Sequence, residues 1–174
     1  METLLKRLVF VLAVTALLAP GTYAQPNKDR PSESLKGIPG VHVMIRYRGP
    51  VDSARGLTPG QIKTDAELRL IADNVKVLSD KEWQNTVGEP YLFIDVNGVQ
   101  LQGENKKWPD YAFAFSVNLI QMVSPVQTPQ KPVEGCTWTE SDLAVVSRDR
   151  LRVVSIRVSD LVHDFANALV ASRK

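Results

Sequence analysis

Tyr111-Ala-Phe-Ala-Phe-Ser-Val-Asn-Leu-Ile-Gln-Met-Val123 is the stretch whose reading decides the fold. Tyr111, Phe113, Phe115, Val117, Leu119 and Val123 fall on one side of an extended backbone, and Ala112, Ala114, Ser116 and Asn118 on the other. Side chains that alternate with period two belong to a strand. Strands seldom exceed about 10 residues, so one this long is expected inside a sheet, with one heavily apolar face to be covered.

Upstream of it, Leu92, Ile94 and Val96 alternate with Tyr91, Phe93 and Asp95 after Pro90. Both sets are partly apolar, which predicts a strand covered on two sides. Gly98 to Pro109 is rich in Gly, Asn and Lys and reads as a solvated connection, so the two strands it joins are most simply antiparallel. Downstream, Pro125, Pro129 and Pro132 predict an irregular loop over Ser124 to Gly135. Strand composition returns from Cys136 to Val146.

Nearer the start, Val41, Val43, Ile45 and Tyr47 alternate with His42, Met44, Arg46 and Arg48, a first half-buried strand. Thr58 suits a helix N-cap, Pro59 the first helical position, and Gln61 the return bond of a capping box. Leu57 and Ile62 fit the hydrophobic staple, and Ile62, Ala66 and Leu70 predict a helix from Pro59 to about Ala72. Asp73-Asn74 can end it, because Asn tolerates the left-handed conformation. Val75 to Leu78 reads as a short strand, and Ser79 with Glu82 as a second capping box over a single turn reaching Trp83. From Asp149 onward, Leu151, Val154, Val158, Leu161, Phe165 and Leu169 recur at helical spacing. Over residues 149–157 the β-branched Val153, Val154, Ile156 and Val158 leave strand as the alternative.

The expected fold is therefore α+β, a single domain with a mainly antiparallel or mixed sheet of about five strands. The order is β-α-β-β-β-β-α, with two helices packed on one face.

Residues 1–24 are expected to lie outside that fold. Lys6 and Arg7 precede an apolar run from Leu8 to Leu18, Pro20-Gly21 breaks it, and Thr22-Tyr23-Ala24 offers small residues for a cut after Ala24. This is the pattern of a secretory signal peptide, and its run of about 11 residues is too short to span a bilayer, which takes about 20. Residues 25–34 read as a polar, flexible leader and residues 35–174 as the folded domain. No transmembrane segment is expected after cleavage. Removing Lys6, Arg7 and Glu2 takes 21 basic and 19 acidic groups to 19 and 18, a net charge of +1. That balance gives no reason to expect nucleic acid as a partner. Cys136 is the only cysteine, so no internal disulfide can form and only pairing between chains stays open.

The segments SLKGIPGVHVMI, GLTPGQIKTDAELRL, EPYLFIDVN and YAFAFSVNLIQ, with a late Thr-Trp ahead of VSDLVHDFANAL, resemble a family of uncharacterised exported bacterial proteins. The resemblance covers about Leu35 to Leu169 and implies a periplasmic or secreted protein. It brings no catalytic residue with it. The order of elements is also similar, at the level of fold only, to small envelope α/β domains such as the N-terminal domain of TolB, and a fold does not fix a function.

No constellation of residues reads as a catalytic centre. Cys136 has no histidine near it in sequence, and His42 and His163 lie too far apart, with no HxH or CxxC pattern, to suggest a metal site. No cofactor motif occurs. Asp95 is the most interesting carboxylate, because a charge on a half-buried strand needs a partner, and a strand carboxylate paired with Arg or Lys is the plainer reading. Arg46 and Arg48 share one face of the first strand, with Arg55 in the next loop. Arg148, Arg150, Arg152 and Arg157 gather at the start of the last helix. Trp83, Trp108 and Trp138 fall in or beside loops, where aromatics either cap the core or form a binding surface. The candidate interaction surface is accordingly Trp83, Trp108, Trp138, Arg46 and Arg48. The leading expectation is a non-enzymatic binding module of the cell envelope, with an envelope protein or a small ligand as partner. The alternatives are a small periplasmic hydrolase using Asp95 and a self-associating protein using an exposed sheet edge.

Overall fold

The computed structural model describes residues 33–49, 57–101 and 110–173. The expected signal peptide, most of the leader, the loop holding Arg55 and the connection holding Trp108 lie outside the described residues.

Four strands form one mixed sheet: β1 (His42–Arg48), β2 (Tyr91–Leu101), β3 (Asp110–Val123) and β4 (Val133–Ser147). They lie in the order β1-β2-β3-β4, with β1 and β2 parallel and the other two pairings antiparallel. The helices are α1 (Pro59–Ala72), the short α2 (Asp80–Gln84) and α3 (Arg152–Ser172). The long strand read first from the sequence, β3, is interior as expected.

Tyr111, Phe113, Phe115, Val117 and Leu119 of β3 are buried beside Leu92, Ile94 and Val96 of β2. Ile62, Ala66 and Leu70 of α1 and Val154, Val158, Phe165 and Leu169 of α3 belong to the same core, so both long helices cover one face of the sheet. Among the described residues nothing covers the opposite face. Phe93 and Asp95 on it are only partly buried, so β2 is not covered on two sides as its composition suggested.

Local chemistry sets the helix ends. The Thr58 hydroxyl accepts the Gln61 N–H at 3.1 Å, which caps α1. The return bond expected of Gln61 does not form, because its amide donates to Asp65 at 2.7 Å one turn on. Asn74 adopts φ 61°, and Val75 N–H reaches back to the Leu70 carbonyl at 2.8 Å, ending α1 in a left-handed turn. In α2 both bonds of the Ser79–Glu82 capping box are present. The tail is helical from Arg152, after a 3-10 turn at Arg148–Arg150, which answers the choice left open over 149–157. Packing of Val154 and Val158 into the core outweighs the small propensity penalty of β-branching.

Two expectations about strands need correction. Val75 to Leu78 is not a fifth strand: it makes a single bridge, Val41 to Val77, held by two backbone bonds, before Ser79 begins α2. That approach needs Gly40, since a Cβ there would stand 2.5 Å from the Lys76 carbonyl oxygen. The proline-rich loop is also shorter than expected, because Val133 to Gly135 already pair with β3. Its register slips by one residue at Leu119/Ile120, leaving Thr137 as a bulge between Cys136 and Trp138.

Candidate functional site

The open face of the sheet is built in rows, because paired residues on neighbouring strands point the same way. One row runs His42, Tyr91, Ile120 and Cys136, and the next holds Met44, Phe93, Asn118 and Thr139. Below them come Arg46, Asp95, Ser116 and Ser141, and then Arg48, Asn97, Ala114 and Leu143.

Aromatic rings occupy one corner. Trp83 stacks on His42 with centroids 5.3 Å apart and meets Tyr91 edge-on at 5.8 Å. Its indole N–H donates to the Glu89 carbonyl at 2.7 Å, and His42 Nδ1 lies 3.0 Å from the Leu78 carbonyl. Beside that corner the Arg46 guanidinium lies over the Phe93 ring, 5.1 Å from its centroid, and closes on the Asp95 carboxylate. Arg48 Nε donates to Asn97 Oδ1 at 2.9 Å.

The centre of the face is low because β3 places Ala114 and Ser116 there and β4 places Ser141. Asp95, Asn97 and Leu143 help to bound the resulting depression of about 470 Å³. The Ser116 hydroxyl accepts from Asn118 at 2.9 Å, and Thr139 donates to Asn118 at 2.7 Å, so the polar side is tied together.

Electrostatics on this face favour ionised, paired groups. The hydrogen bond from Arg46 holds the Asp95 carboxyl below the usual carboxylate range, against the opposing effect of burial. A carboxyl kept ionised in this way has no proton to give at neutral pH, which counts against Asp95 as a general acid.

The residues singled out from sequence are divided. Arg46, Arg48 and Trp83 do share the open face. Trp138 does not: it points to the helix side and packs edge-on against Phe165, with centroids 5.2 Å apart. Regular pairing from Ser147 to Trp138 sets that side, because Trp138 stands opposite the buried Leu119 just as Val146 stands opposite Tyr111, and the bulge at Thr137 shifts only the residues before it, including Cys136. Arg148 and Arg150 lie in the 3-10 turn after β4, Arg157 meets Asp142 of β4 at 3.5 Å, and Arg152 lines a groove between α1 and α3, so none of them joins Arg46 and Arg48 on β1. Cys136 is exposed, with its thiol 3.3 Å from the Trp138 carbonyl.

His163, read from sequence as a solvated helix residue, instead ties α3 to the end of α1. Its Nδ1 lies 2.8 Å from Asp73 Oδ2, an atom that also accepts from Arg69 at 2.9 Å. Burial alone would raise the Asp73 pKa, but hydrogen bonds from His163 and Arg69 outweigh it and hold the carboxyl down. Among the described residues no group of three or more His, Cys, Asp or Glu is placed to hold a metal ion. No helix among them is long and apolar enough to cross a membrane.

No family model matches the chain, and no curated protein matches it. Among solved structures it is similar to a PelC dodecamer from Paraburkholderia phytofirmans, with 12% identity and a TM-score of 0.40. That match covers 72% of this chain and 86% of the other. It is also similar to a minor lipoprotein from Acinetobacter baumannii, with 13% identity, a TM-score of 0.34, and coverage of 75% and 90%. Likenesses this slight transfer neither a fold family nor a function.

Proposed function

We propose that this chain is a non-enzymatic binding module of the bacterial envelope, which holds a protein partner on the open face of its sheet. The observation that carries the reading is the uncovered face itself, where a tied polar array and the Arg46–Phe93–Asp95 stack surround a depression. The depression is open along its length. Small-molecule sites enclose most of their ligand, whereas a shallow face with exposed apolar side chains at one end suits a macromolecular surface. The signal-peptide pattern of residues 1–24 supports export, so the partner is sought in the envelope.

Ala114→Arg tests the reading, because Ala114 is exposed at the floor of the depression and its side chain supports no part of the core. The expected result is a stoichiometric partner retained from envelope extract by the wild-type protein and lost by Ala114→Arg, with the melting temperature unchanged. Equal retention by both proteins, or no partner at any salt concentration, would sink it.

A further inference from the structure

We propose that the groove between α1 and α3 binds an uncharged, aliphatic peptide segment in extended form. The two helices lie side by side over the covered face of the sheet and are tied at one end by His163 and Asp73. Between them runs a groove of about 450 Å³, with Asp65, Leu68 and Arg69 of α1 on one wall and Arg152, Ile156 and Asp160 of α3 on the other. Leu68 is 60% exposed and Ile156 52%, so each wall presents an aliphatic side chain.

Two observations point to a ligand there. Ser155 also lines the groove, and its hydroxyl is buried with no hydrogen-bond partner among the described residues. Such a group has lost water and gained nothing in exchange. Rotation about its Cα–Cβ bond, from one staggered position to the next, turns it toward an occupant that brings an amide. The second observation concerns Arg152 and Asp160, whose side chains make no hydrogen bond or ion pair among the described residues.

The charges of the lining define the class of ligand. Each wall carries one carboxylate and one guanidinium, Asp65 and Arg69 on α1 and Arg152 and Asp160 on α3, so the lining sums to zero. An ion of either sign would meet a like charge on both walls. A peptide backbone instead offers N–H groups to the carboxylates and C=O groups to the guanidiniums. Its aliphatic side chain then lies between Leu68 and Ile156. The chain's own leader does not suit, because Lys28, Asp29 and Arg30 set three charges in a row.

The length of the segment follows from helix geometry. Asp160 comes eight positions after Arg152, or about 12 Å along the axis at 1.5 Å per residue. An extended peptide of about four residues spans that distance.

This groove lies on the helix side of the sheet and is independent of the open-face reading. The test titrates the capped tetrapeptide acetyl-Ala-Leu-Ala-Ala-amide into the purified, isotope-labelled protein and follows its amide resonances. Saturable shifts are expected, confined to α1 and α3 around Leu68, Ser155 and Ile156. Ser155→Ala is expected to weaken binding by roughly threefold to tenfold, the worth of one hydrogen bond. Leu68→Glu is expected to abolish binding, and neither change should lower the melting temperature appreciably.

Ala114→Arg, on the open face, is expected to bind the peptide as the wild type does, so either reading can fail while the other stands. Hexanoate and hexylamine, each an aliphatic chain with one charge, are expected to give no saturable shift. The absence of saturable shifts up to the solubility limit of the peptide overturns the proposal. So does undiminished binding in either groove variant, or tighter binding of a charged probe than of the peptide. Shifts in α1 and α3 that follow protein concentration without any peptide overturn it as well, by making a second copy the occupant.

Discussion

Arg46 and Asp95 stand opposite each other across the parallel β1–β2 pair, and the guanidinium meets both carboxylate oxygens through Nε and Nη2. Two donors in a fixed fork bind a carboxylate as one unit. Their sequence separation of 49 residues means that the contact exists only once the crossover through α1 has closed.

The pair is expected to behave as a unit in a double-mutant cycle. Asp95→Asn and Arg46→Met should each lower the melting temperature, and the double change should be no worse than the more damaging single one. Additive effects would show that the two side chains do not interact in solution.

The same pair fixes a pH dependence. The folded pKa of Asp95 lies below its ordinary value of 3.8, so its contribution is fully present above that value. It is lost as pH falls through the lowered folded pKa. Thermal melts taken from about pH 5 down to about pH 2 should show a shallower acid limb for Asp95→Asn than for wild type. Parallel limbs would count against the pairing.

Gly98 pairs with Phe113 in the β2–β3 register, and a Cβ at residue 98 would stand 2.4 Å from that ring. Phe113 is fully buried within the core. Gly98→Ala is expected to cost about 1–3 kcal/mol by overpacking. Phe113→Leu in the same chain should recover part of that loss in denaturant unfolding, because it removes the ring that the new methyl meets.

Trp138 and Trp83 should separate in their effects. Trp138→Ala strips a ring from Phe165 at the edge of the core and is expected to cost about 2 kcal/mol. Trp83→Ala leaves the core intact and should cost nearer 1 kcal/mol, while reducing partner retention in the envelope pull-down. A stability loss from Trp83→Ala as large as that from Trp138→Ala would contradict this assignment.

Ser155 is 5% exposed, and its hydroxyl has no hydrogen-bond partner among the described residues. A buried hydroxyl without a partner keeps its desolvation penalty, and Ala is the better helix former. Ser155→Ala is expected to be neutral or to stabilise the protein by up to about 1 kcal/mol. Clear destabilisation on unfolding would mean that the hydroxyl has a partner in solution.

What the sequence by itself determined is whatever depends on neighbours along the chain. Period-two alternation marked β1, β2 and β3, the Thr58-Pro59 and Ser79–Glu82 signals marked two helix starts, and the spacing from Leu151 to Leu169 marked α3. These follow from backbone sterics and caps that act over a few residues. The need of Asp95 for a cationic partner was also legible, because a half-buried charge demands one wherever it comes from.

The tertiary structure alone decided the rest, since pairing energies depend on which strands meet and in what register. It reduced Val75–Leu78 to a single bridge, once Gly40 let the backbones touch and Ser79 ended the run. It set Trp138 opposite the buried Leu119 and against Phe165, and tied His163 to Asp73. By leaving one sheet face uncovered among the described residues, it also separated the side chains of that face from those that hold the core together. For β3 the composition of its two faces already told which would be buried, whereas for β2, apolar in part on both, only the packing of α1 and α3 over Leu92, Ile94 and Val96 decided it.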